Sequence, residues 1–397
     1  MSDCGVKEFK LRELLKIYNG TKYDHLNKGD IPLYGSGGLM SHVDEALYSG
    51  EAILLPRKGT LSNIMYVNES FWTVDTMYYA VVNDKLADAF YLYSYLSQLD
   101  LSNLDSGSTL PSMTKSAYES IVVKLPDLNI QKAVANILFN LRKKLEINNQ
   151  INQELEAMAK TLYDYWFVQF DFPDQNGKPY KSSGGKMVYN PELKREIPEG
   201  WGVAKVEDIA QTGSGGTPKS TNVSYYSNGE IPWINSGELE QTVITSTSNF
   251  ITEEGLNNSS AKLFPSGTIL VAMYGATAGK VSFLTFEAST NQAICAIMLT
   301  DIRMRYYLKN VIEDLYQYLV KLSTGSARDN LSQDMIKNIK VVIPSNDILD
   351  RFYDFSNNII KEITKKQQEN EQLTQLRDWL LPMLMNGQVK VEWGKEA

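Results

Sequence analysis

From Val134 onward, apolar residues recur at Ile137, Leu138, Leu141, Leu145, Ile151, Leu155, Met158, Leu162 and Trp166. Steps of three and four hold such residues on one side of an α-helix, and over this length they form a seam for a second helix. The pattern returns at Phe352, Phe355, Ile359, Ile363, Leu373, Leu376, Leu380 and Leu384. Each stretch predicts a helix of roughly 35–40 residues, about 55 Å at 1.5 Å per residue. Asn148 and Lys366 fall on the seam where an apolar residue is expected. Polar seam residues weaken packing but fix register and orientation. A lone helix of this kind would leave its stripe in water, so the economical arrangement packs the two on each other, antiparallel if a two-fold relates them.

Elsewhere the period shortens. AILLPRKG, NIMYV and MYYAVV in the first half, and TILVAMYG, KVSFLTF and QAICAIML in the second, read as strands. ADAFYLYSYLSQL and RYYLKNVIEDLYQYLVKL read as helices. A mixed α+β domain therefore precedes each long helix. Residues 173–200 are rich in Gly, Pro, Ser and Lys with no sustained period, and read as a connector.

The halves are related. Set over the segment from Thr324, the segment from Ser106 pairs Gly107 with Gly325 and Pro126 with Pro344 at one offset of 218 positions. The same offset pairs Val123 with Val341, Ile130 with Ile348, Leu155 with Leu373 and Leu162 with Leu380. Upstream, GDIPLYGSGG at Gly29 resembles GEIPWINSG at Gly229, and GEAILLPRKGT at Gly50 resembles GTILVAMYGAT at Gly267, with altered spacing between the blocks. One unit is used twice. The boundaries that follow are a globular domain over 1–126, a helix over 127–170, a connector over 171–200, a second globular domain over 201–344 and a second helix over 345–391.

Composition narrows the chemistry. The chain has 397 residues, enough for two or three domains, and a net charge of −8, which disfavours unaided binding to phosphates. Its only histidines are His25 and His42 and its only cysteines Cys4 and Cys295, too few for a multi-His or Cys/His metal centre. No apolar run approaches the roughly 20 residues that span a bilayer, and no apolar signal segment opens the chain, so a cytoplasmic protein with free thiols is expected. TGSGGTPKS, from Thr212, imitates a phosphate-binding loop, but Pro218 occupies the second glycine position and lacks the N–H such a loop aims at phosphate. Pro173-Asp174 with Glu192-Leu193-Lys194 imitates a nuclease motif, but on a stretch of turn formers. The adenine-methylase motif [DNS]-P-P-[FYW] does not occur.

The duplicated domain–helix order resembles the specificity subunits of type I restriction–modification enzymes. It is carried by GEIPWINSG, by TGSARDNLS leading into VVIP, by KPYKSSGGKMV running to EIPEGW, and by QLRDWLLPMLMNGQV. The resemblance implies an α+β chain of two mixed α/β target recognition domains, joined by two long helices that form an antiparallel coiled coil with an internal pseudo-two-fold repeat. Each domain would read one half of a split site in double-stranded DNA. The helices would set the spacer and bind two methyltransferase subunits, through which restriction subunits, with nuclease and translocase activity, join. The chain would be a non-catalytic adaptor with no membrane partner, no metal and no cofactor of its own; S-adenosylmethionine, ATP and Mg would belong to its partners. Base edges are read by basic, amide and hydroxyl side chains. The candidates are Arg57, Lys58 and Thr60 in the first half, and Lys219, Asn235, Ser236, Tyr274, Thr277, Lys280 and Arg328 in the second. Two other readings stay open: the recognition part of a restriction–methylation enzyme with its own activity, and a scaffold whose domains bind proteins.

Overall fold

The computed structural model of the chain describes residues 6–101, 111–275, 277–322 and 331–385, without the side chains of 318–322. It divides into two compact units. Unit one takes the chain up to Glu146 together with the segment from Gln372, and unit two is Ile147–Glu371.

Unit one runs β1 (Lys7–Lys10), the short turn α1 (Leu11–Leu14), β2 (Leu15–Asn19), β3 (Lys28–Gly35), β4 (Gly38–Val43), β5 (Tyr48–Pro56), β6 (Met65–Thr73) and β7 (Met77–Val82). It continues through α2 (Ala89–Leu96), α3 (Lys115–Ser120) and β8 (Val122–Leu125) into α4 (Leu128–Tyr163). Six strands form one sheet in the order β2-β7-β5-β6-β3-β4. Within it β3 and β6 run parallel, Leu33 opposite Trp72 and Tyr34 opposite Thr73. The run AILLP in β5 is continuous rather than alternating because both sheet faces are covered. Ile53 and Leu55 enter the core shared with the helices, while Ala52 and Leu54 enter a second core with Leu33, Phe71 and Trp72. β1 pairs with β8 from Lys7–Leu125 to Lys10–Val122, which ties the start of the globular part to its end just before α4.

Unit two carries the hairpin β9 (Met187–Asn190) and β10 (Arg195–Pro198), then β11 (Gly202–Lys205), α5 (Val206–Ile209), β12 (Ala210–Ser214), β13 (Ile231–Ile234), β14 (Val243–Ile244) and β15 (Phe250–Ile251). After α6 (Glu253–Asn257) come β16 (Leu263–Phe264), β17 (Ile269–Ala272), β18 (Val281–Leu284), β19 (Ala288–Thr290), β20 (Ile294–Leu299), α7 (Arg305–Leu322), α8 (Gln333–Lys337), β21 (Lys340–Ile343) and α9 (Asn346–Met385). Its sheets have the orders β12-β20-β17-β18-β14 and β15-β13-β19-β16. Here β13 and β19 run parallel, Trp233 opposite Ser289 and Ile234 opposite Thr290, and β11 pairs with β21 as β1 does with β8. β17 is again covered on both faces, Ile269 and Val271 in one core and Leu270 and Ala272 in another.

The connector differs from the sequence expectation. Part of it is the β9–β10 hairpin, whose turn holds Lys194 at φ 52°. Phe170, Phe172, Ile197 and Trp201 are core residues, and Tyr180 and Trp201 stack on Phe172 at 4.6 and 4.8 Å. These apolar residues are too widely spaced to show a period. The nuclease-like carboxylates have structural partners: Asp174 Oδ1 accepts the N–H groups of Asn176 and Lys178 at 2.8 Å, and Glu192 pairs with Lys340 at 3.1 Å.

The long helices are α4 and α9. Within unit one, Val134 and Leu138 share a core with Leu384 and Met385. Within unit two, Tyr163 and Trp166 share one with Phe352, Ile359 and Ile363, and a single π-turn over Asp164–Val168 buries Trp166 and Phe167 beyond the end of α4. Part of the expected seam lies elsewhere. Ile151, Phe355, Leu376 and Met158, the last 52% exposed, face solvent, while Asn148, Ser356 and Asn370 are buried. Neighbouring stripes on one helix both satisfy steps of three and four, so polar Ser356 and Asn370 are buried beside apolar seam residues such as Ile359 and Ile363.

Candidate nucleic-acid interface

In unit one, four segments meet beyond the end of β5. The Arg57 N–H donates to the Thr76 carbonyl at 2.8 Å, and the Arg57 carbonyl accepts from Met113 N–H at 2.9 Å. Lys58 N–H also reaches Thr76, at 3.2 Å, and Gly59 N–H reaches the Pro111 carbonyl at 3.0 Å. Gly59 sits at φ 87°, a left-handed conformation that an L side chain rarely adopts. Asn63 Nδ2 donates to the Ser36 carbonyl at 2.9 Å, which joins the β3–β4 turn to this loop. Arg57, Lys58 and Thr60 are all exposed on it.

In unit two the corresponding loops follow β13, β17 and β19. Asn235 caps a 3-10 turn over Ser236–Glu238, its N–H donating to Glu238 Oε1 at 2.8 Å. Asn291 Nδ2 donates to Asn235 Oδ1 at 3.3 Å, and the Tyr274 hydroxyl donates to the Gln292 carbonyl at 3.0 Å. Thr277 is buried, and its hydroxyl donates to the Ser236 carbonyl at 2.8 Å, so it braces the loop instead of presenting a free donor. Lys280 is exposed and lines a cleft of about 450 Å³ with Glu240, Phe283 and Ser356, to which Asn235, Ser236, Tyr274 and Thr277 do not contribute. Arg328 lies outside the described residues.

TGSGGTPKS owes its glycines to close packing. A Cβ on Gly215 would sit 2.1 Å from the Thr290 carbonyl oxygen, and one on Gly216 would sit 2.4 Å from the Ser260–Ala261 backbone. Gly216 N–H donates to the Thr290 carbonyl at 2.8 Å, and Trp233 Nε1 donates to the Gly216 carbonyl at 3.0 Å. Thr217 hydrogen-bonds Gln292, and Lys219 stands exposed two residues on. The segment is therefore folded against the Asn235–Asn291–Gln292 cluster. Sequence reasoning passed over Ser36, Asn63, Asn291 and Gln292. Their signal was polarity between two apolar strands, which any turn shares.

Burial pushes the Cys295 thiol up to about 12, so it keeps its proton at neutral pH. Among the described residues no three His, Cys, Asp or Glu side chains are grouped to hold a metal ion, and no helix is long and apolar enough to cross a membrane.

Known proteins resemble this chain in sequence and fold. The specificity subunit of the type I restriction enzyme MjaIX from Methanocaldococcus jannaschii is 27% identical over 297 residues, covering 74% of this chain and 66% of the relative, just under two thirds. That of HindI from Haemophilus influenzae is 27% identical over 333 residues, covering 71% of this chain and 72% of the relative. The crystal structure of a type I restriction–modification S subunit from M. genitalium shares the fold, with a TM-score of 0.65 at 14% identity, covering 99% of this chain and 98% of that one. The model of the type I restriction modification DNA specificity domain matches residues 4–157 and again 198–375. With most of its length accounted for by those two matches, the chain belongs to the type I restriction–modification DNA specificity family.

Proposed function

We propose that the chain is the sequence-reading adaptor of a type I restriction–modification complex and carries no catalysis of its own. Residues 1–126 and 201–344 act as two target recognition domains, each reading one half of a bipartite site in double-stranded DNA. α4 and α9 pair as an antiparallel coiled coil that spaces the halves and docks two methyltransferase subunits, through which restriction subunits join. S-adenosylmethionine, ATP and Mg are used by those partners.

One observation carries this reading. Each unit repeats the same strand logic, β2-β7-β5-β6 in one and β12-β20-β17-β18 in the other, each with a short parallel pairing (β3 with β6, β13 with β19) and a polar loop cluster beyond β5 or β17. Two similar but chemically different readers in one chain suit an asymmetric split sequence, with half-site spacing set by geometry. The hydrogen bond between Asn148 and Asn370, with the Trp166–Phe352 ring contact at 6.0 Å further along the first helical stretch and earlier along the second, supports the antiparallel pairing within unit two. The net charge of −8 supports dependence on partners for attraction to phosphate.

Mapping methylated bases in a host that carries this chain with its methyltransferase tests the proposal. A two-part sequence separated by a gap of fixed length and unspecified bases is the expected result. A continuous recognition sequence, or methyl transfer by the isolated chain, overturns it.

A further inference from the structure

The guanidinium beyond β5 is held in place by its surroundings. Hydrogen bonds to Thr76 and from Met113 fix the main chain of Arg57 on both sides. Its side chain lies over the Tyr78 ring, 5.9 Å from the centroid, and Nη1 donates to the Asp75 carbonyl at 3.3 Å. A guanidinium carries five N–H donors in a planar fork. Among the described residues only this one contact engages them, so the fork is braced at one corner and keeps donors free.

Unit two has no such group at the matching place. The last β5–β6 pair is Leu54 opposite Met65, and the last β17–β18 pair is Val271 opposite Val281. Three residues beyond stand Arg57 in one unit and Tyr274 in the other. The Tyr274 hydroxyl is engaged on Gln292, and its neighbours Asn235 and Asn291 are amides.

We propose that Arg57 is a specificity-determining residue that reads a guanine in the half-site bound by unit one. The inference rests on the DNA reading proposed above. Two parallel N–H donors match guanine O6 and N7 in the major groove, the pairing a planar fork makes best. Lys58 beside it is a point charge, suited to phosphate rather than to a base. The guanine contact belongs to one half only, because Tyr274 cannot form that fork.

The test is selection of bound duplexes from a randomised pool by the assembled complex with its methyltransferase subunits, followed by sequencing. The wild type, Arg57→Ala, Arg57→Lys and Lys58→Ala are compared. The wild-type pool is expected to hold a fixed G·C pair that Arg57→Ala relaxes, with discrimination there falling roughly ten- to a hundredfold. Arg57→Lys keeps the charge but lacks the fork, and loses discrimination at the same position. Lys58→Ala weakens all sequences alike. The half-site read by unit two stays unchanged and reports that each variant is folded. Relaxation at a base other than guanine, or uniform weakening by Arg57→Ala with the consensus intact, overturns the inference and leaves the DNA reading standing. A wild-type pool without enrichment overturns that reading, and the inference with it.

Discussion

Asn148 sits on the helix seam within unit two at 0% exposure. Its Nδ2 donates to Asn370 Oδ1 at 2.9 Å and to Glu369 Oε2 at 3.1 Å, while its own Oδ1 is buried without a partner. Asn370 in turn donates to Asn149 Oδ1 at 2.8 Å. Asn148→Leu strands Asn370 Oδ1, and a buried acceptor left unmade costs about 1–3 kcal/mol. Loss of the unpartnered Asn148 oxygen and gain of apolar burial offset part of this, leaving a net loss of about 1 kcal/mol. For a unit of this size that lowers the melting point by roughly 2–4 °C. Asn370→Leu leaves the Asn148 amide with Glu369 alone and is destabilising by a similar amount. The double variant has no stranded amide and places Leu against Leu, so it recovers at least wild-type stability, as replacement of buried polar pairs by apolar residues commonly does. Calorimetric melting of the four proteins reads the coupling, about 2–3 kcal/mol in sign opposite to the single losses. A double variant less stable than the worse single one would refute the reasoning.

Gly215→Ala drives a Cβ against the Thr290 carbonyl, a backbone group that cannot swing aside, and is expected to destabilise unit two by about 1–3 kcal/mol; unchanged melting would remove close packing as the reason for that glycine. Cys295 should resist alkylation at pH 8 in the folded protein and react fully in denaturant, read by mass spectrometry of its peptide; rapid native labelling would contradict its burial. Since the folded thiol keeps its proton up to about 12, the unfolded chain gains by losing it first, and stability falls as pH rises above the ordinary thiol value of about 8.5.

The sequence made the long helices legible because a seam repeated over many turns leaves few alternatives, and the constant offset of 218 makes the repeat visible without any tertiary contact. The choice between neighbouring stripes was not legible. Met158 and Leu376 look like seam residues by spacing yet are exposed, while Ser356 and Asn370, which pattern reading discounts as polar, are buried; Asn148 is buried where spacing put it. The connector misled for a related reason: within it Phe172 reaches the core from irregular backbone and Ile197 from a four-residue strand, where no sustained period exists to find. At the candidate interface, residue type pointed to loops that do cluster, but it could not tell Thr277, whose hydroxyl is spent on Ser236, from Thr60, which is exposed. Only tertiary structure separates a braced hydroxyl from an exposed one.

Exchange of residues 1–126 for the corresponding domain of another specificity subunit, followed by mapping of methylated sites with the methyltransferase present, tests the central claim most directly. Independent recognition domains predict that one half of the target is replaced while the other half and the gap persist. Alteration of both halves together, or of neither, would contradict it.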